Sequence, residues 1–278
     1  MTTAEGAAAG GAGDGAPGAR DVTVVIPARD DAVMLQRCLR ALARQTRPPA
    51  EVIVVDNAST DATAETARAH GATVLEEASI GIWAAAAAGY DAARTPIIAR
   101  LDADSVPPAD WVEKVAAGLA RRPSSVAITG WGVFEDLPRA VGVPVAALYL
   151  GAYYALGHAA AAGPVLWGSN MALRRTAWHQ VRDRVHRWER EVHDDMDLAL
   201  ALGPRTGVSV DPRLVVGVSA RSLKGGSQLA RRLSRALRTL ELNFSESRPW
   251  ERWAERLGAP SPRRDRVPPG RAGGPPGR

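Results

Sequence analysis

The amino-acid sequence predicts an α/β fold, a single Rossmann-like domain with a mostly parallel central sheet flanked by helices. Two observations predict it. From residue 22 to residue 119, short apolar runs rich in β-branched residues alternate with segments whose apolar residues recur at helical spacing. The apolar runs also lack the polar alternation of a half-exposed strand, which is typical of strands buried on both faces. This alternation of strands and helices favours a doubly wound sheet.

The first half of the chain predicts four strands, each followed by a helix. The strands are expected at 22–26, 52–55, 72–75 and 96–101, and the helices around 35–42, 62–70, 83–93 and 107–119. Asp30 or Asp31 is the expected N-cap of the first helix, because a carboxylate accepts hydrogen bonds from the free N–H groups there. Gly71 is the expected left-handed residue that ends the second helix.

The second half is less regular. Strands are expected at 126–129 and 170–173, an extended segment at 208–218 and a helix at 193–202. A further amphipathic helix is indicated by an apolar stripe of four leucines, with arginines beside it. The leucines are Leu229, Leu233, Leu237 and Leu240. We expect the stripe to pack on the core. Contact of this basic helix with an anionic membrane surface is the alternative.

An uncharged segment, residues 140–173, is long enough to span a bilayer. It is rich in alanine and glycine and is interrupted by Pro144 and Pro164. We therefore expect a buried helix at 144–161 and no transmembrane span.

Composition narrows the class of protein. Residues 1–20 and 259–278 are dominated by small residues, proline and arginine, so both tails are expected to be disordered. No basic region followed by an apolar run opens the chain, which argues against a secretory signal and favours a cytoplasmic location. The single cysteine, Cys38, excludes an intrachain disulfide. The net charge is only +5, with much of the excess in the C-terminal tail, so nucleic-acid binding is not expected.

Carboxylates follow three of the four strands of the first half. They are Asp30 and Asp31, then Asp56, then Asp102 and Asp104. Ligands of doubly wound sheets bind outside the carboxyl ends of the strands, where these side chains converge. No glycine-rich phosphate loop follows the first strand. Asp102 and Asp104 can both reach one hard cation such as Mg²⁺ or Mn²⁺. Taken alone, the pair also fits two solvated carboxylates in a turn.

Five motifs, in this order, resemble those of the family 2 glycosyltransferases over most of the chain, from Val22 to about Arg221. They read VTVVIPARDD, EVIVVDNASTD, PIIARLDADS, GSNMALRR and HDDMDLAL. The resemblance implies the GT-A fold and metal-dependent, inverting transfer of a sugar from a nucleotide-diphosphate sugar to a hydroxyl acceptor. It implies a domain at 21–222, with a nucleotide-sugar-binding half at 21–130 and an acceptor-binding half at 131–222. A helical extension is expected at 223–258.

The resemblance also implies roles for residues on the donor side. The implied nucleotide-binding residues are Pro27, Ala28, Asp30, Asp31, Asp56 and Asp102. Of these, Asp56 would accept a hydrogen bond from the base. Asp102 would lie near the ribose and the metal, and Asp104 would bind Mn²⁺ or Mg²⁺ directly. Arg221 or Lys224 is a candidate for neutralising the diphosphate, although a solvated surface position fits either equally well.

On the acceptor side the resemblance implies Gly168, Ser169, Asn170 and Asp194. Asp195 falls at the position of the general base, which takes the proton from a hydroxyl nucleophile. These motifs have structural interpretations too. Gly168-Ser169-Asn170 fits a plain turn before a strand. The acids at 194–197 fit the first turn of a helix, where Asp194 and Asp197 come close to a capping pattern.

The sequence departs from the family at Ala86 and Ala87, where related chains usually carry an Arg-Asn pair. A charged contact to the nucleotide would then be missing. This leaves a non-catalytic nucleotide-sugar-binding or scaffold protein as the alternative. A nucleotidyltransferase is less well supported, because Ala28-Arg29-Asp30 is not the glycine-rich basic loop expected of that class. A lipid-linked acceptor at the inner face of the plasma membrane, in cell-envelope polysaccharide biosynthesis, would explain a membrane-binding helix.

Overall fold

The computed structural model describes residues 21–223 and 226–259. Residues 1–20 and 260–278, which make up nearly all of the tails predicted to be disordered, lie outside the described residues, and so does Lys224. The strands are β1 Val22–Ala28, β2 Glu51–Asp56, β3 Thr73–Glu76, β4 Ile97–Arg100, β5 Ser125–Phe134, β6 Met171–Arg174 and β7 Gly207–Val218. The helices are α1 Ala32–Leu42, α2 Thr63–Ala69, α3 Ile82–Ala92, α4 Trp111–Ala120, α5 Arg139–Ala161, α6 Arg175–Val181, α7 Asp194–Leu202, α8 Gly226–Glu246 and α9 Pro249–Leu257.

The seven strands form one sheet in the order β3-β2-β1-β4-β6-β5-β7. All neighbouring pairs are parallel except the two made by β6, which runs antiparallel to β4 and β5. The predicted α/β fold with a mostly parallel sheet is therefore confirmed. In the β1–β2 register Ala28 lies beside Asp56, and β4 flanks β1 on its other side. The loops that carry the acidic residues thus emerge at one edge of the sheet.

Both faces of the sheet are buried, as the continuous apolar runs predict. Alternate residues of β1 point to opposite sides. Val25 packs in a core beneath α3, α6 and α7, whereas Val24 and Ile26 pack in a second core beneath α1 and α4. Gly71 has a positive φ of 77° after α2, which confirms its predicted conformation.

Helix α5 departs most from the prediction. It begins at Arg139 and accommodates Pro144 inside the helix. One face is buried through Ala146 and Leu150, but Leu148 and Leu156 are 77% and 73% exposed. The expected buried helix is therefore wrong. Composition records that a segment is apolar, but not how many neighbours will cover it. Within the described ranges, α5 is the one helix long and apolar enough to cross a bilayer.

Helix α8 departs from the prediction in part: Leu240 packs against the core as expected, but Leu233 and Leu237 of the leucine stripe face outward. Leu233 and Leu237 are 61% and 59% exposed, while Thr239 and Asn243 are buried. The side chain of Leu229 lies outside the described part of the chain. Polar contacts explain this orientation. The Asn243 amide donates to Asp197 Oδ1 over 2.7 Å, and the Thr239 hydroxyl accepts from the His193 N–H over 2.8 Å.

The predicted division into halves does not follow a structural boundary, because residues 130 and 131 lie inside β5. The predicted helical extension corresponds to α8 and α9, and both pack on the rest of the domain. Arg252 of α9 is buried and donates to the Leu200 carbonyl over 2.6 Å.

Candidate active site

A cavity of about 620 Å³ opens where β1 and β4 end. The strand ends and the first residues of α3 line one part of it, and the segment before α7, the turn after β7 and helix α8 line another. The lining residues are Pro27, Ala28, Arg29, Asp31, Asn57, Ile80, Gly81, Ile82, Ala85, Asp102, Ala103, Asp104, Arg190, Glu191, Arg221, Arg231, Arg232 and Arg235. Of the residues predicted from the sequence, the cavity thus brings together Pro27, Ala28, Asp31, Asp102, Asp104 and Arg221.

Arg221 joins two of the acidic loops. Its guanidinium binds both carboxylate oxygens of Asp31, with Nη1 2.7 Å from Oδ1. Its Nε donates to Asp104 Oδ2 over 3.0 Å. Asp31 occupies the N-cap position of α1 as predicted, but its carboxylate caps no N–H group. The N–H of Ala32 donates to Asp61 instead. The side chain of Asp31 therefore faces the cavity through its ion pair.

The carboxylates of Asp102 and Asp104 suit a divalent cation. Burial and the neighbouring Asp102 raise the pKa of Asp104 to about 6, and Arg221 opposes the rise. A cation would relieve this repulsion, and hard carboxylate oxygens are the ligands that Mg²⁺ and Mn²⁺ prefer. In the described part of the chain, no group of three or more His, Cys, Asp or Glu side chains is arranged to hold a metal ion. The remaining ligands would therefore come from donor phosphates and water.

A buried arginine, which the sequence analysis did not identify, links the two acidic motifs. Arg100 ends β4, and its guanidinium pairs with Asp194 and lies 2.9 Å from Asp102 Oδ1. Asp194 is buried by these contacts, so it does not lie on an acceptor surface as predicted. Burial raises its pKa, and the Arg100 charge opposes this. The only signal in the sequence is an arginine at the end of an otherwise apolar strand.

The turn at Gly168 and Ser169 joins the same network. The Ser169 hydroxyl donates to Asp102 Oδ2 over 2.5 Å, and the Gly168 N–H donates to Asp195 Oδ2 over 2.8 Å. A Cβ at Gly168 would lie 2.7 Å from the guanidinium carbon of Arg100, so only glycine fits there. The turn therefore orients the carboxylates of Asp102 and Asp195.

Asp195 is partly exposed and holds a fixed orientation. Its second oxygen, Oδ1, accepts from the Met196 N–H over 2.8 Å. It stands outside the lining of the main cavity. The ring of the neighbouring His193 contacts the Arg232 carbonyl. That contact ties α7 to α8.

Asn170 is not an acceptor-side residue. Its amide is fully buried and donates to the carbonyls of Trp131 and Leu214, each over 3.0 Å, while its oxygen accepts from the Trp111 indole over 2.8 Å. These bonds hold β5, β7 and α4 together. The prediction is wrong because a turn residue that points into the core has the same sequence pattern as one that points outward.

Two predicted donor-side acids lie outside the main cavity. Asp30 has a positive φ of 49° and accepts bonds from the N–H and hydroxyl of Thr60, so it ties the first loop to the second. Asp56 lines a neighbouring cavity of about 570 Å³. Its Oδ1 is buried and has no hydrogen-bond partner among the described residues. That oxygen is therefore an unsatisfied acceptor.

The alanines that depart from the family lie in the core. Ala86 and Ala87 are fully buried against the sheet, and α3 presents Ile82 and Ala85 to the cavity instead. Neither position could carry a charge toward the cavity in this arrangement. The presence of alanine at these two positions therefore no longer favours a non-catalytic protein.

The acids in the first turn of α7 bind mostly outside their own helix. The N-cap residue His193 forms no side-chain cap, and Asp195 accepts from one first-turn N–H, that of Met196. Asp197 accepts bonds from Trp83, His186 and Asn243. The three acids of this turn, Asp194, Asp195 and Asp197, thus contact different groups. Their spacing in the sequence does not show which acid contacts which group.

Comparison with known proteins agrees with this geometry. The model of the glycosyl transferase family 2 matches residues 23–180, more than half of the chain. The chain therefore belongs to family 2 and is a glycosyltransferase. Glycosyltransferase AglE of Haloferax volcanii is 37% identical over 101 residues, which cover 34% of this chain and 33% of the relative. An uncharacterized glycosyltransferase of Mycobacterium tuberculosis is 42% identical over 98 residues, covering 35% and 43%. These matches thus span less than half the length of the relatives.

Solved structures confirm the GT-A fold. A mannosyltransferase from Pyrobaculum calidifontis, in complex with GDP-Man and Mn²⁺, superposes with a TM-score of 0.65 at 21% identity, covering 85% of this chain and 68% of the other. Glucosyl-3-phosphoglycerate synthase from Mycobacterium tuberculosis, in complex with Mn²⁺, UDP and phosphoglyceric acid, gives 0.57 at 17% identity, covering 87% and 80%.

Proposed function

We propose that the chain transfers a sugar from a nucleotide-diphosphate sugar to a hydroxyl acceptor with inversion, by metal-assisted direct displacement. The observation that carries this proposal is the pair Asp102 and Asp104 at the cavity, with Arg221 bound beside them. Both fold neighbours were solved with a nucleotide and Mn²⁺, which supports a donor of the same kind.

A few residues would bind the donor and stabilise its leaving group. A divalent cation held by Asp102 and Asp104 would stabilise the charge that develops on the leaving diphosphate. Arg221 adds a second positive charge once the donor competes with Asp31 and Asp104 for its guanidinium. Arg100 and Ser169 fix the Asp102 carboxylate, so it needs little reorganisation to act. The Asp56 carboxylate would accept a hydrogen bond from the nucleotide base.

On the acceptor side Asp195 takes the proton from the attacking hydroxyl. Its orientation is fixed by the Gly168 and Met196 N–H groups, which leave lone pairs available on both oxygens. No second carboxylate is needed as a nucleophile, because one base gives a single displacement and therefore inversion.

The outward apolar faces of α5 and α8 support peripheral contact with a membrane. Leu148 and Leu156 lie two turns apart on α5, and no charged residue follows Arg139 in that helix. On α8 the exposed leucines stand among arginines, which favour anionic lipid. Because α5 buries its other face against β5, we infer that it lies along the membrane surface, where a lipid-linked cell-envelope acceptor would be found.

A thermal-shift experiment tests the donor site. We expect a UDP-, GDP- or dTDP-sugar to raise the melting temperature only with Mn²⁺ or Mg²⁺, because a ligand of the folded state stabilises it by mass action. Asp104→Asn removes that shift. Asp30→Asn is the matched control, because its carboxylate lies outside the cavity and an asparagine oxygen still accepts from Thr60. A shift that needs no metal and persists in Asp104→Asn would refute the metal-assisted mechanism.

A further inference from the structure

We propose that four arginines of the cavity form a site for a phosphate group on the acceptor. They are Arg190, from the segment before α7, and Arg231, Arg232 and Arg235 of α8. This inference rests on the proposed function, since it names the chemical class of the acceptor. It concerns residues to which the donor reaction gives no role.

The four guanidinium groups carry more charge than their surroundings neutralise. Glu191 is the one acid of this part of the described lining, and its Oε2 accepts from Arg235 Nε over 3.1 Å. The pKa of Glu191 is lowered by that hydrogen bond and further by the charges of Arg235, Arg231 and Arg190. Three arginines therefore act on one carboxylate, which marks the place as attractive to an anion.

The partners of the other arginines leave their charge available. Arg232 donates from Nη1 to the Tyr149 hydroxyl over 2.6 Å, a neutral partner. Arg190 and Arg231 make no hydrogen bond or ion pair with the described residues. The cluster thus keeps an excess of about three positive charges at neutral pH.

The scaffold holds this cluster at a fixed place relative to the base. Helix α8 is bound to α7 through Thr239 and Asn243, and α7 carries Asp195 in its first turn. An acceptor anchored on the arginines would therefore be positioned with respect to Asp195. Planar guanidinium groups match the oxygens of a phosphate in pairs, which makes phosphate a better fit than a single carboxylate.

The proposed donor site has its own cations, which leaves the four arginines for a second anion in the same cavity. Arg221 lies between Asp31 and Asp104, and the divalent cation would lie on Asp102 and Asp104. The four arginines instead come from the segment before α7 and from α8. The phosphate could belong to a lipid-linked acceptor or to a small soluble one, because the recognition chemistry is the same.

Binding measurements with matched probes test the site. The full chain is saturated with the nucleotide diphosphate that it binds and with Mn²⁺, and is titrated with farnesyl phosphate, farnesol, glycerol 3-phosphate and glycerol. We expect each phosphate to bind at least about tenfold more tightly than its alcohol. Arg231→Gln and Arg235→Gln each weaken phosphate binding about tenfold. Arg238→Gln is the control on the same helix, because Arg238 pairs with Glu241 and Glu189 outside the cavity.

The outcomes separate this inference from the proposed function. Farnesyl phosphate binding more tightly than glycerol 3-phosphate supports the site with a lipid acceptor, and equal binding supports it with a small one. If neither phosphate binds the nucleotide-loaded chain, the phosphate site is refuted while the donor site stands. If Arg231→Gln and Arg235→Gln weaken nucleotide binding instead, the arginines serve the donor diphosphate and the inference is overturned. If no nucleotide binds, the chain is titrated with inorganic phosphate alone. Weaker phosphate binding in Arg231→Gln and Arg235→Gln would then still support the arginine cluster as a phosphate site.

Discussion

At the scale of single residues, the site is organised around a buried positive charge. Arg100 is almost fully buried between Asp102 and Asp194, and its own Nε has no partner among the described residues. A buried ion pair gives little net stability, but a buried carboxylate without its partner is costly. Arg100 thus positions the Asp102 carboxylate while it neutralises the charge of Asp194 on α7.

Replacing Arg100 by methionine should destabilise the fold by about 3–5 kcal/mol, because Asp102 and Asp194 then lose their countercharge. Arg100→Met with Asp194→Asn should recover part of that loss. Urea denaturation measures both. Arg68→Met, which removes an exposed ion pair with Glu76, should cost less than about 1 kcal/mol. Equal losses of stability in Arg100→Met and Arg68→Met would show that burial does not increase the contribution of the Arg100 charge.

Asp195→Asn should lower kcat about 10²–10⁴-fold, because an amide takes no proton from the acceptor. Its oxygen still accepts from the Gly168 N–H, so the turn keeps its shape and donor binding is retained. Transfer assays combined with donor titration separate the two effects. An Asp195→Asn enzyme of normal kcat would assign the base elsewhere.

At the scale of elements, Asp197 joins α7 to three neighbours. The indole of Trp83, the ring of His186 and the amide of Asn243 each lie within 2.8 Å of its oxygens. Burial alone would raise the pKa of Asp197, but these bonds, that of His186 above all, hold it below its ordinary value. The same pair raises the pKa of His186 above 6.5.

The His186–Asp197 pair should make stability depend on pH. Since the folded state holds the His186 proton more tightly, the stabilisation is complete below about pH 6.5 and is lost as the pH rises through the raised pKa. His186→Asn should therefore lower the free energy of unfolding more at about pH 5.5 than at about pH 9. Denaturation curves of both proteins at the two pH values check this. An equal loss of unfolding free energy at both pH values would mean that protonation of His186 does not contribute to stability.

Two helical glycines should respond in opposite ways to alanine. A Cβ at Gly89 of α3 would lie 2.3 Å from Val25 Cγ1 of β1, so Gly89→Ala should cost about 1–3 kcal/mol through overpacking. A Cβ at Gly151 of α5 meets nothing within 4 Å. Gly151→Ala should therefore gain about 0.5–1 kcal/mol. Melting temperatures of the two variants provide the comparison, and a stabilising Gly89→Ala would contradict the close approach of α3.

At the scale of the whole molecule, an apolar surface lies outside the cavity at the strand ends. Helix α5 packs against β5 on one side and presents alanine, valine and leucine on the other. Arg232 of α8 bonds Tyr149 of α5, so the apolar face and the arginine cluster are neighbours. A membrane on this face would bring a lipid-linked acceptor to the cavity.

Leu148→Glu with Leu156→Glu should weaken sedimentation with anionic vesicles about tenfold or more, because burying two charges in lipid is unfavourable. Val33→Glu on α1, where the valine is equally exposed, is the control and should leave binding unchanged. Neutral vesicles should bind less than anionic ones, as expected of a basic surface. Failure of the unaltered chain to bind anionic vesicles at low salt would refute the membrane contact.

The sequence by itself determined the order of strands and helices through residue 119, the parallel character of the sheet and the edge at which the acidic loops meet. These features follow from periodicity, because the pattern of apolar residues in a strand shows whether one or both of its faces are buried. The strand ends indicated Asp31, Asp102 and Asp104, and the resemblance added Pro27 and Ala28; the cavity brings all five together with Arg221.

Only the tertiary structure decided which of two neighbouring acids faces the cavity. Asp31 lines it while Asp30 binds Thr60, and Asp194 is buried on Arg100. Loop residues have no periodicity that would reveal their direction. The outward faces of α5 and α8 were decided in the same way, because an apolar stripe shows that a helix has a face to cover but not which element, or which surface outside the chain, will cover it.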